Sequence, residues 1–108
     1  MTTFGEFLKK EREKKSLNQS DFGHELDIIM TDISKIENGH KKFPFGKLEK
    51  LAALIDEDIE SVKDKFVADI LVSEANKYEC SVNVFSIAEG IAKYMRSKNE
   101  KQANINFK

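Results

Sequence analysis

The fold is decided by residues 17–39, LNQSDFGHELDIIMTDISKIENG, which contain two short helical patterns in succession. Asn18 followed three residues later by Asp21 is a typical helix start, because an Asn side chain accepts a hydrogen bond from a free backbone N–H of the first turn. Phe22 and Leu26 then share one face of the helix. We predict a short helix over residues 19–26.

The second helical pattern begins only a few residues later. Three isoleucines, Ile29, Ile33 and Ile36, recur at spacings of four and three, which places them on one side of a helix. Asn38-Gly39 is a typical stop, since glycine readily adopts the left-handed conformation that ends many helices. We predict this helix over residues 30–38.

Apolar residues also recur at helical spacing on both sides of this stretch. A capping-box pair, Thr3 and Glu6, opens a helix predicted over residues 4–15, and further helices are predicted over residues 45–55 and 59–78. A sixth helix is defined by Val84, Ile87, Ala88, Ile91, Tyr94 and Met95. Because no convincing strand accompanies these six patterns, the predicted fold class is all-α.

Composition excludes several classes of protein. The 108 residues include one cysteine, Cys80, and two histidines, which are too few for a tetrahedral zinc site, and the five glycines form no phosphate-binding loop. We expect no metal and no cofactor. No nucleophile, base and orienting group occur at a convincing spacing, so we do not expect an enzyme.

The chain has no sequence feature of a membrane or secreted protein. Its longest uncharged run, residues 80–88, is far shorter than the roughly 20 apolar residues that a membrane span requires. The N-terminal residues lack the pattern of a secretory signal. We expect a cytoplasmic location and no membrane partner.

Two short helices separated by a tight turn are the organisation of a helix-turn-helix, whose second helix enters the major groove of DNA. The chain resembles the lambda-repressor-like family of such proteins, also called the Cro or XRE family, from about Phe4 to Ile55. The resemblance lies in residues 17–19 (Leu-Asn-Gln), residues 33–39 (Ile-Ser-Lys-Ile-Glu-Asn-Gly) and Phe43-Pro44 leading into residues 48–52 (Leu-Glu-Lys-Leu-Ala). It implies a DNA-binding helical bundle, here with two additional C-terminal helices.

The resemblance also implies roles for individual residues. Gln19 matches a glutamine that grips a phosphate together with the N-terminus of its helix. Arg12 and Glu37 match a partly buried ion pair between the first and third helices. The outward positions of the recognition helix, which contact bases and backbone, are Met30, Thr31, Asp32, Ser34 and Lys35. The loop that follows corresponds to a phosphate-contacting segment and contains Asn38, His40, Lys41 and Lys42.

Three positions depart from the family pattern. Gly23 replaces the usual alanine, which keeps a close helix contact but weakens the helix. Ile29 stands where Ser or Thr often caps the recognition helix, so Asp27 or Thr31 is expected to cap it instead. Asp32 brings a negative charge near DNA, and three interpretations stay open. Its carboxylate accepts a hydrogen bond from a cytosine amino group, repels phosphate, or complements the helix dipole.

The second half of the chain carries more apolar surface than a helix-turn-helix domain of about 55 residues needs. We expect a homodimer interface formed by Phe66, Ile70, Phe85, Ile91, Tyr94 and Met95. The alternative is that these residues complete the core of the monomer. The predicted organisation is a DNA-binding domain over residues 1–58, dimerisation helices over residues 59–97 and a flexible tail over residues 98–108.

These patterns favour a sequence-specific, dimeric transcriptional regulator, more a repressor or autoregulator than an activator, that binds double-stranded DNA at a palindromic operator. The formal net charge of −1 neither supports nor excludes DNA binding, because only the clustering of charge decides. The alternative hypothesis is an antitoxin, which binds and neutralises a toxin protein and also regulates its own operon.

Overall fold

The six predicted helices are all present in the computed structural model, which describes residues 1–106 and the side chains of residues 1–100. The helices are α1 (Phe4–Lys14), α2 (Gln19–Leu26), α3 (Met30–Glu37), α4 (Leu48–Ile55), α5 (Ile59–Lys77) and α6 (Asn83–Asn106). A 3-10 helix, Phe45–Lys47, occupies the predicted first turn of α4. No strand occurs among the described residues, and the all-α prediction is confirmed.

The first two helices begin with the hydrogen bonds that the sequence predicts. At α1, the hydroxyl of Thr3 accepts from the backbone N–H of Glu6 (3.1 Å), and the N–H of Thr3 donates to the Glu6 carboxylate (3.0 Å). The backbone hydrogen bond from Thr3 lowers the pKa of the Glu6 carboxyl, because it favours the charged form. At α2, the side-chain oxygen of Asn18 accepts from the N–H of Asp21 (2.7 Å).

The start of α3 differs from the expectation. Neither Asp27 nor Thr31 caps this helix: its N-cap residue is Ile29, and no side chain accepts a hydrogen bond from its first turn. Asp27 instead ends α2 in the left-handed conformation, with φ of 56°. The ammonium of Lys47 donates to the backbone carbonyl of Asp27 and lies 3.9 Å from its carboxylate. Lys47 therefore stabilises the turn between α2 and α3, where a side-chain cap of α3 was expected.

The chain divides into a first unit, Met1–Leu71, and a second unit, Val72–Lys108. The core of the first unit is apolar and draws on α1 to α5 and the loop before α4. Phe4 contacts two other aromatic rings of this core. The centroid of its ring lies 5.9 Å from that of Phe43 and 5.4 Å from that of Phe66. Its most deeply buried side chains are Phe22, Phe43, Leu8, Leu26, Ile33, Leu48, Leu51 and Val62.

The first unit extends beyond the predicted domain boundary at residue 58. Val62 is fully buried and Phe66 is only 6% exposed, and both belong to the core. Ile70 is half-buried and packs against the same core. Phe66 therefore lies inside the monomer rather than at the surface where a dimer interface was expected. An apolar stripe on a helix predicts that the stripe is buried, but it does not predict whether the core of the monomer or a partner copy buries it.

Helix α6 continues through most of the segment that was predicted to be a tail. The helix extends to Asn106, the last residue whose backbone the structure describes, and residues 107 and 108 of the predicted tail lie outside the described part of the chain. Residues 98–106 have no apolar period, but they include Lys, Glu, Gln and Ala, which favour helix, and no Gly or Pro. The lack of an apolar period in this segment gave no evidence for a helix, but the segment also contains no residue that would end one.

No helix within the described residues combines the length and the apolar character needed to cross a membrane.

Candidate nucleic-acid interface

Helix α3 has one buried face and one exposed face. Ile33 and Ile36 point into the core of the first unit, where they are 0% and 3% exposed. Met30, Thr31 and Lys35 are exposed. Asp32 and Ser34 are half-buried. The five predicted outward positions thus all keep some solvent contact, and the helix presents a mixed apolar, polar and basic surface.

Two glycines let neighbouring helices approach α3 closely. A Cβ added at Gly5 of α1 would overlap the carbonyl oxygen of Ile36 and lie 2.7 Å from that of Glu37. A Cβ added at Gly23 of α2 would overlap the carbonyl oxygen of Ile28. Backbone atoms cannot rotate away as side chains do, so both positions require glycine for the observed packing. The Gly5 contact fixes the C-terminal end of α3, and the Gly23 contact fixes the turn that precedes the helix.

The ion pair between Arg12 and Glu37 joins α1 to the last turn of α3. Arg12 Nε donates to Oε2 of Glu37 (2.7 Å) and Nη2 donates to Oε1 (3.1 Å), which is the bidentate arrangement that a planar guanidinium favours. Arg12 Nη1 also donates to the carbonyl of Leu17 (2.9 Å). The Glu37 hydrogen bond raises the pKa of Arg12. The pair predicted from the family resemblance is therefore formed.

Gln19 contacts the same carboxylate. Its Nε2 donates to Oε1 of Glu37 at 3.1 Å, and the side chain is half-buried. In the free protein, Gln19 is thus a third donor to Glu37 and helps to hold α2 against α3. Its contact with a DNA phosphate stays a prediction.

The turn before α3 exposes an apolar residue that the sequence pattern placed on the buried face. Ile29 is 67% exposed and Met30 is 52% exposed, whereas Ile28 packs against the core. The helical period fails at Ile29 because the residue is the N-cap and has extended rather than helical dihedral angles. The two exposed side chains form an apolar edge at the N-terminus of α3.

The loop after α3 is basic and exposed. The chain turns at Gly39, whose φ is 81°, and the side-chain amide of Asn38 donates to the carbonyl of Ser34 (2.9 Å). His40, Lys41 and Lys42 are all exposed.

One cation of this loop pairs with Asp32 of α3. Lys41 Nζ lies 2.8 Å from Oδ2 of Asp32, and the two side chains are 47% and 24% exposed. Within the described residues, Lys35 and Lys42 form no ion pair. The sequence predicts that Asp32, Lys35, Lys41 and Lys42 all lie near DNA. It does not predict the pairing of Asp32 with Lys41, because these residues are nine positions apart and a turn lies between them.

The other predicted interface residues lie in the second unit. Phe85 is half-buried, whereas Ile91, Tyr94 and Met95 are each more than half exposed. Ile87 on the same helix was not predicted as an interface residue and is also more than half exposed. Among residues 72–100, every residue is at least partly exposed. The apolar side chains of α6 are therefore available to a partner.

Comparison with known proteins supports the same fold. The profile of the family described as helix-turn-helix matches residues 8–62, just over half of the chain. One similar solved structure is the crystal structure of the master regulator for biofilm formation SinR in complex with DNA, with 23% identity and a TM-score of 0.49, covering 56% of this chain and 97% of that one. Another is the SinR protein/SinI protein complex, with 22% identity and a TM-score of 0.50, covering 88% of this chain and 99% of that one. No curated protein matches the chain in sequence.

Proposed function

Because the chain belongs to the helix-turn-helix family of lambda-repressor-like DNA-binding regulators, we propose that it is a sequence-specific, homodimeric repressor or autoregulator of transcription. The observation that carries this proposal is the two-faced α3. Its inner face is locked into the core by Ile33 and Ile36, and its outer face, with Met30, Thr31 and Lys35, is exposed. An exposed helix on a rigid support is what major-groove binding requires.

The N-terminal part of α3 is the proposed base-reading element. In this docking mode, residues near the start of the recognition helix contact base edges. Ile29 and Met30 offer apolar contact to thymine methyl groups, whereas Thr31 and Lys35 offer polar contacts to bases or backbone. Ser34 is half-buried and contributes at the edge of the surface.

The flanking positions are the proposed phosphate contacts. Lys42 and His40 are exposed in the loop after α3, and Asn38 lies at the end of the helix. Gln19 lies at the start of α2, whose backbone N–H groups and dipole favour an anion. Such contacts add affinity for any DNA sequence and fix the orientation of the protein on the duplex.

Homodimerisation is proposed to occur through the second unit. The exposed side chains of Ile87, Ile91, Tyr94 and Met95 recur on α6 at spacings of four, three and one, as on one face of a helix. A second copy of the chain would cover them in a self-complementary contact. Two copies present two recognition helices to successive turns of a palindromic site.

The function is tested by selecting bound fragments of the source genome with purified full-length protein at fixed, near-physiological salt, followed by sequencing. We expect recovery of an inverted repeat near a promoter. A variant carrying Thr31→Ala and Lys35→Ala should lose this preference, and Lys93→Ala, in an exposed surface pair of α6, is the matched control. Recovery of no preferred sequence by a folded wild-type sample would contradict the proposal.

The dimer is tested by the mass of the full-length protein in sedimentation equilibrium. We expect a dimer for the wild type and for Lys93→Ala, and a monomer for Ile91→Asp, because a carboxylate in an apolar contact must be desolvated. An unchanged dimer mass for Ile91→Asp would place the interface elsewhere.

An antitoxin function is the second candidate, since the exposed side chains of α6 are equally open to a different protein chain. A wild-type protein that is monomeric alone, and that gains DNA affinity only with the product of an adjacent toxin-sized reading frame, would favour this candidate over the homodimer.

A further inference from the structure

We propose that Asp32, held by Lys41, selects one base pair of the operator by accepting a hydrogen bond from the amino group of a cytosine. This inference rests on the proposed function, because it concerns the same helix and the same groove. It decides among the three interpretations that the sequence leaves open for Asp32.

Asp32 lies where a recognition helix meets the bases of DNA. Asp32 is the third residue of α3 and lies in the first helical turn, the part of a recognition helix that contacts base edges. Its side chain is 24% exposed, so the carboxylate keeps contact with solvent and is not buried in the core. A carboxylate at this position lies within reach of base edges when the helix occupies the major groove.

The negative charge of Asp32 is balanced by Lys41. An unpaired carboxylate in the major groove is repelled by the phosphates on both sides. Lys41 Nζ lies 2.8 Å from Oδ2 of Asp32, so the pair carries no net charge and the repulsion is largely cancelled. Repulsion of phosphate is therefore a poor description of Asp32. A role limited to the helix dipole does not require a partner from the following loop.

One oxygen of the Asp32 carboxylate is left to accept a hydrogen bond from DNA. Lys41 engages Oδ2, and within the described residues no side chain or backbone group donates to Oδ1. Oδ1 is an acceptor only. In the major groove, guanine presents two acceptors to such a group, and thymine presents an acceptor and a methyl group. Adenine presents an acceptor beside its amino group, whereas cytosine presents its amino donor alone, and cytosine is the base that an Asp side chain favours.

Lys41 is in this account a positioning residue, and Lys42 is its matched control. Both are exposed lysines in the same loop and differ in one respect, since only Lys41 is paired with α3. Loss of Lys41 should disturb the choice of base at one position. Loss of Lys42 should weaken binding to all sequences alike.

The experiment uses the full chain and the operator obtained by selection. Each operator position is replaced by all four base pairs, and competition binding at constant salt gives the relative affinities for wild type, Asp32→Ala, Asp32→Asn, Lys41→Ala and Lys42→Ala. Circular dichroism and the unfolding midpoint verify that each variant is folded.

We expect one position per half-site at which wild type prefers cytosine by about tenfold, the scale of one good base contact. Asp32→Ala should abolish this preference, and Asp32→Asn should shift it towards adenine, because an amide offers both a donor and an acceptor. Lys41→Ala should reduce the preference at that same position. Lys42→Ala should lower all affinities and keep the preference.

Two results would overturn the inference, and they are distinguishable. If wild type selects an inverted repeat but neither Asp32 variant changes the preference at any position, the pair is only structural, and the proposed function stands. If wild type selects no sequence, the proposed function fails and the inference fails with it.

Discussion

At the scale of single residues, Glu37 explains how α3 is held. Its side chain is 2% exposed and accepts hydrogen bonds from Arg12 Nε, Arg12 Nη2 and Gln19 Nε2. A buried carboxylate contributes little net stability when it is paired, but it is costly when it is unpaired. The network therefore works as a constraint on geometry, since α1, α2 and α3 must meet for Glu37 to be satisfied.

The first prediction concerns Arg12. Arg12→Ala should lower the free energy of unfolding by about 3 to 5 kcal/mol, because it leaves Glu37 buried with Gln19 as its remaining donor. Lys63→Ala removes an ion pair with Glu60 at the surface of α5, where the two side chains are 39% and 71% exposed, and should cost at most about 1 kcal/mol. Urea unfolding of the two variants measures the difference. Equal losses would show that the Arg12 network does not hold α3.

The second prediction concerns Gly5. Gly5→Ala should destabilise the protein by about 1 to 3 kcal/mol, because the new methyl group overlaps backbone carbonyls of α3 that cannot move without shifting the helix. Gly90→Ala is the matched control, since no atom lies near its added Cβ and the change should stabilise α6 by about 1 kcal/mol. Thermal unfolding gives both values. A Gly5→Ala variant as stable as wild type would contradict the close approach of α1 and α3.

At the scale of helices, local signals were readable and long-range contacts were not. The starts of α1 and α2 follow from Thr3 and Asn18, because a cap is a contact between residues three apart in sequence. The exposure of Ile29 follows from its extended N-cap conformation, which the helical spacing does not reveal. The tether from Lys47 and the pairing of Asp32 with Lys41 depend on how separate segments of the chain meet. Composition and residue spacing do not predict contacts between separate segments, so these contacts were not predicted from the sequence.

The packing of α5 against the core is also a long-range contact of this kind. The third prediction is that a chain ending at residue 71 keeps cooperative unfolding, whereas a chain ending at residue 58 loses it. The shorter chain lacks Val62 and Phe66, and losing one large core side chain alone costs about 3 to 5 kcal/mol out of a total stability of about 5 to 15 kcal/mol. Circular dichroism with urea measures both. A cooperative transition of the same midpoint in the shorter chain would show that α5 is dispensable for the core.

At the scale of the whole molecule, function depends on where charge and apolar surface lie rather than on their totals. The net charge is −1, which by itself gives no attraction to DNA. Lys35 and Lys42 nevertheless lie unpaired, among the described residues, on and beside the exposed helix. The apolar side chains of α6 lie in the second unit. The candidate surface for DNA thus belongs to the first unit, and the candidate surface for a partner copy belongs to the second.

The central claim is that two copies of this chain read one DNA site with two α3 helices. The most direct measurement is a hydroxyl-radical footprint of the full-length protein on a fragment recovered by selection. We predict two protected segments on one face of the duplex, about 34 Å or one helical turn apart, with equivalent sequences in opposite orientation. A single protected segment, or uniform protection along the fragment, would contradict the claim.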